Sequence, residues 1–410
     1  MRLNYLERII ASKIKRYTGL YDILAYVYKY INFLAFGAFK PVVHKYSNCT
    51  VRDISPGLGG ETFFGYYDRP IENAHGEILF HNVADGDCRI IVQSSDGREI
   101  YSRSVQVWNW QQGSLTSWVD NDHIIFNDLF DLKVCGVLIN IRTFEERVLP
   151  SSFQSLSKSS KLYCALDIRI LTELRREYGY GELLKGYNSI PRKKLQIYNL
   201  DGHLVDEVTY DELRCTACAK IEHSQNFKIN HCIFSPDGNK LIFVARWWKD
   251  GKKCHSLILR AINDKKSYCI LEDVLISHYN WLSNDTIILW GGLHSAGYYI
   301  VDIRSADLDN VHSTYISSGP DGHPSLISDG VILTDTYPGK DRHSTLRLLH
   351  IRSNNVEEHN LVSLYQPMKF NGEKRVDLHP RSVTENLFYV DSGHTGKRRL
   401  YAITKNESSA

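Results

Sequence analysis

The sequence predicts an all-β chain, a seven-bladed β-propeller of four-stranded blades with an N-terminal helical extension. Three observations carry this. First, four stretches open on a histidine and close on a polar turn: His231-Cys-Ile-Phe-Ser-Pro-Asp-Gly, His278-Tyr-Asn-Trp-Leu-Ser-Asn-Asp, His323-Pro-Ser-Leu-Ile-Ser-Asp-Gly and His379-Pro-Arg-Ser-Val-Thr-Glu-Asn. Each is followed by a short apolar run: Leu241-Ile-Phe-Val, Thr286-Ile-Ile-Leu-Trp, Val331-Ile-Leu and Leu387-Phe-Tyr-Val. Second, weaker copies lie upstream, at Gly65-Tyr-Tyr-Asp-Arg-Pro, at Ser114-Leu-Thr-Ser-Trp and at Ser152-Phe-Gln-Ser-Leu. The total is seven units, at the roughly 40–50 residue period of propeller blades. Third, the remaining segments alternate in polarity and end in Asp-Gly or Asn-Asp turns, while amphipathic helical spacing is scarce. A sandwich would not repeat seven times, and a β-helix has a much shorter period.

Taken in order, residues 1–50 are basic and rich in aromatic and aliphatic side chains, and residues 51–410 hold the propeller. Residues 1–45 carry eight basic and two acidic side chains, although the whole chain is only +2. So small a net charge gives no signature of nucleic-acid binding. Asp22, Lys29 and Asn32 interrupt the apolar run that follows residue 20, so it is a poor bilayer span. The basic residues are too dispersed for a signal peptide. Two placements remain open: a helix lying on the anionic inner-membrane surface, or a helix packed on the propeller or a partner. One helical insertion is expected between Asp167 and Tyr187, inside the third unit. Nine cysteines, an odd number with irregular spacing, fit reduced thiols in a cytoplasm. The lone Cys215-Thr-Ala-Cys218 pair lacks the second pair of a zinc ribbon.

Equivalent positions in a repeat array occupy equivalent positions around its axis. The residues entering the inner strands crowd one mouth of the channel, so the four histidines should meet on one arc. Imidazole is a common metal ligand and an acid/base group near neutral pH. His231, His323 and Arg381 are the candidate catalytic groups. His278, Asp377 and His379 are the candidate metal ligands; Asp377 and His379 lie two residues apart, on one strand face. Tyr67, Asp68, Arg69, Gln112, Asp335, Arg342 and Arg375 are candidates for binding substrate, with the arginines suited to carboxylate or phosphate. Such a donor set suits one divalent ion of the Mn, Fe, Ni or Zn kind. Neither a Gly-rich phosphate loop nor a well-placed Asp-x-Asp points to a nucleotide cofactor. A shared packing role for the histidines is the alternative, and it would make the protein a scaffold.

The blade Phe234-Ser-Pro-Asp-Gly-Asn-Lys-Leu-Ile-Phe resembles the repeat of TolB-like propellers, a match that speaks to fold and not to function. His323-Pro-Ser and Asp377-Leu-His-Pro-Arg resemble segments of the oligogalacturonate lyase propellers. That resemblance implies β-elimination on oligouronides with a divalent metal, manganese first, and puts His278 and His379 among its ligands. This chain departs from the pattern by carrying Asp377 where the family has a histidine and Lys374 where it has a glutamine. Glu61-Thr-Phe-Phe-Gly-Tyr-Tyr-Asp-Arg-Pro is similar to bacterial propellers encoded with surface-polysaccharide biosynthesis genes and often labelled glycosyltransferases. The expected role is thus a cytoplasmic propeller, peripheral on the inner membrane, acting on an anionic or lipid-linked saccharide.

Overall fold

A computed structural model describes residues 18–181, 193–217, 225–304, 311–352 and 355–406. Seven antiparallel sheets surround a central channel, six of four strands and one of five. The innermost strands, from blade 1 to blade 7, are Glu61–Phe63, Ser117–Trp118, Ser155–Ser157, Gln225–Phe234, Leu275–Trp281, Ser325–Ser328 and Arg381–Ser382. The ring is closed by the N-terminal part of the chain. Cys49–Asp53 pairs with Arg399–Lys405 as the outermost strand of blade 7. Just before it, Val43–Lys45 adds a fifth strand to blade 6, beside Asn355–Tyr365. The chain therefore enters the propeller at Val43, ahead of the boundary at residue 51 read from the sequence.

Most of the core lies between blades. Phe63, Phe80, Ile90 and Val92 of blade 1 pack with Trp118, Ile124 and Phe126 of blade 2, and the same layering recurs between blades 4 and 5. Equivalent tryptophans mark the repeat. Trp118 Nε1 donates to the Ile71 carbonyl at 3.0 Å, and Trp281 Nε1 to the Ile233 carbonyl at 3.1 Å. Each buries a large ring while its one donor finds the preceding blade's backbone.

Helix α1 (Thr18–Phe36) precedes the propeller and lies against blade 6. Phe33 packs against Tyr365 with ring centroids 5.3 Å apart, and Lys40, just past the helix, pairs with Asp341 at 2.7 Å. Its amphipathicity is inverted. Lys29 and the buried Asn32 face the protein, while Ile23, Val27, Tyr30, Ile31 and Leu34 are exposed. Among the described residues no helix is long and apolar enough to cross a membrane. The basic residues before Thr18 lie outside the described region. So does Cys218 of the Cys215-Thr-Ala-Cys218 pair, whose Cys215 is exposed.

The insertion in blade 3 carries helix α2 (Ile168–Leu174), capped by the Asp167 side chain, followed by a 3₁₀ turn at Arg176–Tyr178. A short helix α3 (Tyr210–Ala217) leads toward blade 4. One reading of the repeat needs revision. Gly65-Tyr-Tyr-Asp-Arg-Pro is not an inner strand, because blade 1 places Glu61–Phe63 there, paired with His81 to Val83. Residues 64–77 are an excursion between the first two strands, and it enters the channel.

Candidate functional site

The site is built on that excursion. Tyr67 spans the channel: its hydroxyl donates to the Tyr279 carbonyl at 2.8 Å and accepts from the Tyr279 N–H at 3.2 Å. The tyrosine segment is held from blade 7. Asp391 accepts from the N–H groups of Phe64 (3.0 Å) and Gly65 (3.2 Å), and Arg381 donates to the Gly65 carbonyl at 3.1 Å. Gly65 has φ +116°, and a Cβ there would sit 2.9 Å from the Gln112 backbone. Only glycine tolerates both conditions.

Around Tyr66 and Tyr67 the structure gathers all four histidines. His278 and His323 have ring centroids 4.2 Å apart, and His323 and His379 4.5 Å. His231 stands 5.0 Å from Tyr66 and 4.4 Å from Tyr279. Local backbone irregularity aims these side chains. His231 and His379 have φ of +57° and +43°, a left-handed conformation that costs energy in a non-glycine residue. The strand register shifts between Asn230 and Ile233, and again between Ile276 and His278. A β-bulge at such a point turns a side chain out of the sheet alternation.

Each histidine of blades 4 to 6 meets a carboxylate from another blade or strand. His231 Nε2 lies 3.8 Å from Asp68, and His278 Nδ1 3.1 Å from Asp321. His323 is bonded twice to Asp335, by its backbone N–H at 2.7 Å and by Nδ1 at 2.9 Å. Burial pushes the pKa of His231, His278 and His379 down, helped in each case by neighbouring positive groups. His323 is the exception. Burial lowers it too, but Asp335, then Asp377 and Asp321, outweigh burial and hold it above the ordinary value.

Ligand atoms of His323, Asp377 and His379 lie within 4.8 Å of one another. Donors about 2.1 Å from a shared ion stand at most about 4.2 Å apart, so a small inward movement would complete a site. Two observations fit a cation there. The Nε2 atoms of His323 and His379 are buried without a hydrogen-bond partner. His323 also gives Nδ1 to a carboxylate, the arrangement that orients metal-bound imidazoles. Asp377 has one oxygen taken by Arg375, at 2.8 Å. The sequence put His278 in this set; the structure puts His323 there instead, because Asp335 turns it inward while His278 bonds Asp321.

The other predicted residues divide. Arg375 and Arg342 line a cavity of about 180 Å³ with Tyr337, Asp377 and Lys29 of α1, so the helix borders the mouth. Asp68 and Arg69 line a second cavity deeper along the inner strands, with Phe234 and Trp281. Asp335 is buried, and its oxygens are engaged by His323. Arg381 is buried on Gly65 and Asp391, which makes it a positioning residue for the tyrosine segment. Gln112 lies in the turn behind Gly65; its neighbour Gln111 is the one that reaches blade 7, donating to the Arg375 carbonyl at 2.9 Å.

Sequence reasoning missed Asp321, Tyr178, Tyr337 and Arg246. Asp321 had a signal. Asp321-Gly-His323 and Asp377-Leu-His379 share one Asp-x-His pattern in successive blades. Asp321 bonds His278 of the blade before, and Asp377 lies within 4.8 Å of His323 of the blade before. Tyr178 had none, since it arrives on the 3₁₀ turn of the insertion and bonds Arg375 at 3.2 Å.

No family model and no curated protein matches the chain. Solved structures do. An oligogalacturonate lyase from Vibrio parahaemolyticus superposes with a TM-score of 0.61 at 12% identity, over 90% of this chain and 98% of that one. The β-propeller domain of the Trilobed protease from Pyrococcus furiosus follows at 0.48 and 11% identity, over 84% and 95%. TolB from Acinetobacter baumannii gives 0.36 at 12% identity, over 68% and 59%. At these identities the likeness speaks to the fold alone, and the lyase superposition carries it: a seven-bladed propeller.

Proposed function

We propose that this propeller binds and acts on an anionic saccharide at the histidine mouth, with a divalent ion held by His323, Asp377 and His379. The observation that carries the reading is the pair of buried, unpartnered imidazole nitrogens beside a buried carboxylate. An ion bound there would act as a Lewis acid toward an oxygen of the ligand. The protein's own groups supply the rest. Tyr66, Tyr178 and Tyr337 offer aromatic faces for sugar rings, and Arg375 offers a cation held in place by Asp377. The biological setting we infer is bacterial surface-glycan assembly.

A second reading is β-elimination on an oligouronide. It is favoured by His231, an imidazole whose ring nitrogens make no hydrogen bond and whose Nε2 lies 3.8 Å from Asp68, suited to taking a proton α to a carboxylate. We also place the protein on an anionic membrane surface. The support is the outward apolar stripe of α1, together with the basic residues that precede it in sequence.

The test is metal analysis of protein purified without chelators, beside saccharide binding. Close to one Mn, Fe, Ni or Zn per chain is expected, with manganese the first ion to be tried by titration. Near-total loss is expected in His379→Ala. Metal-free protein with unimpaired saccharide binding would leave the ion out of the reading. Protein that holds neither would be a scaffold.

A further inference from the structure

Beside the histidines, blade 4 carries a row of basic side chains with little to balance them. Lys228, Arg246 and His255 are direct partners across three adjacent strands. Like charges placed opposite each other, as Lys228 and Arg246 are, repel. Arg246 is buried, its Nε has no partner, and its Nη2 makes only long bonds of 3.3 and 3.4 Å to the carbonyls of Ile276 and Ser277. With Lys253, His255, Arg175 and Arg375 it lines a cavity of about 260 Å³ that also touches His278. Among the described residues one carboxylate, Glu177, lines this cavity, and Arg175 already bonds it at 2.9 Å. Burial, reinforced by Arg246 and Arg175, pushes Lys228 and Lys253 down to about 8 and His255 to about 3.

We propose that this cavity is a subsite for a multiply charged oxyanion, a phosphate or diphosphate ester of the saccharide bound at the histidine mouth. It rests on the saccharide reading above and adds the chemical class of the ligand. Arg175 is paired with Glu177 and Arg375 with Asp377, so Arg246 and Lys253 are the lining cations left unpaired, and a single carboxylate would balance only one of them. A diphosphate presents several acceptor oxygens, and planar guanidinium groups pair with them in bidentate geometry. The shared wall at His278 would set the sugar next to the phosphate over the candidate ion site.

The experiment is calorimetric titration of the full chain with inorganic pyrophosphate, inorganic phosphate and galacturonate. Pyrophosphate is expected to bind at least about tenfold more tightly than galacturonate, with strong weakening by salt. Arg246→Gln should lower its affinity at least about tenfold, and Arg246→Lys should restore part of it. Lys253→Ala, at an exposed residue, guards against a variant that fails to fold, and should cost several-fold. Absence of pyrophosphate binding, or unchanged affinity in folded Arg246→Gln and Lys253→Ala, overturns the proposal. So does tighter binding of galacturonate, which would assign the cavity to a uronate. Metal content of the same samples reports separately on the histidine cluster. Loss of one binding function without the other therefore shows which reading has failed.

Discussion

Asp335→Asn is the sharpest probe of the histidine cluster. Asp335 Oδ1 accepts from the His323 backbone N–H at 2.7 Å and from Nδ1 at 2.9 Å, and Oδ2 lies 3.0 Å from Nδ1. Asparagine has nearly the same shape but one acceptor oxygen in place of two, and its amide would confront Nδ1–H. The lost bond is charge-assisted and fully buried, worth about 1.5–3 kcal/mol. With the carboxylate gone, burial is left to dominate His323 and its pKa falls. Metal affinity should drop about 10–100-fold, the usual effect of removing a carboxylate behind a ligating histidine. That range corresponds to about 1.4–2.7 kcal/mol. Urea unfolding of metal-free protein, followed by tryptophan fluorescence, reads the first effect. Calorimetric titration with manganese reads the second. Asp321→Asn is the control, since Asp321 holds His278, outside the His323–Asp377–His379 set. It should change metal affinity less than about threefold. If Asp335→Asn keeps wild-type stability and metal binding, the His323–Asp335 pair does not organise an ion site and the cluster is packing.

Asp377→Asn should lower metal content less than His379→Ala, because an amide oxygen can still ligate while a methyl cannot; equal and unaltered metal in both variants would contradict the donor set. Full-length protein should bind anionic liposomes in a salt-sensitive way, and Ile31→Asp should weaken this at least about tenfold, since burying one such side chain is worth roughly 1.5–3 kcal/mol. Flotation that is insensitive to both changes would place α1 on a protein partner. His81 is buried between the Phe64 carbonyl (3.1 Å) and the Ser114 N–H (3.1 Å), and burial lowers its pKa to about 4. The unfolded chain takes up that proton near 6.5 and the folded one only near 4, so this contribution is full above pH 6.5 and is lost on acidification toward 4, at about 1.4 kcal/mol per unit. Acid titration of stability should show the fall, and a flat profile over that window would refute it. Gly113→Ala should destabilise by several kcal/mol (roughly 2–4), for its Cβ would meet the His81 ring at 2.1 Å from a backbone with φ +58°; a midpoint unchanged in urea would show that the ring can yield.

The blades were legible because each repeats one chemical statement: a polar turn followed by a buried β run. The Ser-Pro-Asp-Gly turn at residue 235 and the histidine register before it carry that pattern without any tertiary information. Blade 1 misled for a physical reason. Its channel loop, residues 64–77, has strand-like composition, but the polar atoms of its backbone are satisfied by Asp391 and Arg381, more than 300 residues away. Pairing across the ring is likewise invisible to local pattern. That is why local pattern did not show that His323, rather than His278, stands within 4.8 Å of Asp377 and His379, or that Arg381 is bonded to Gly65 and Asp391. The cations beside the histidines come from Arg175 of the blade 3 insertion and from Lys228, Arg246 and Lys253 on separate strands of blade 4, so only the tertiary fold and strand register reveal them as neighbours.

The closure of the ring has a consequence for synthesis. Residues 49–53 emerge from the ribosome long before their partners at 399–405, and Phe64 and Gly65 wait as long for Asp391 and Arg381. Early blades can stack in order as they appear, each on its predecessor, since their contacts are local in the chain. The channel loop cannot be locked until the last blade is made. A nascent chain thus acquires its blades progressively, but the Tyr66–Tyr67 segment at the channel mouth is fixed only once Arg381 and Asp391 have been made. A chain interrupted before them would keep the early blades and leave that segment without its anchors.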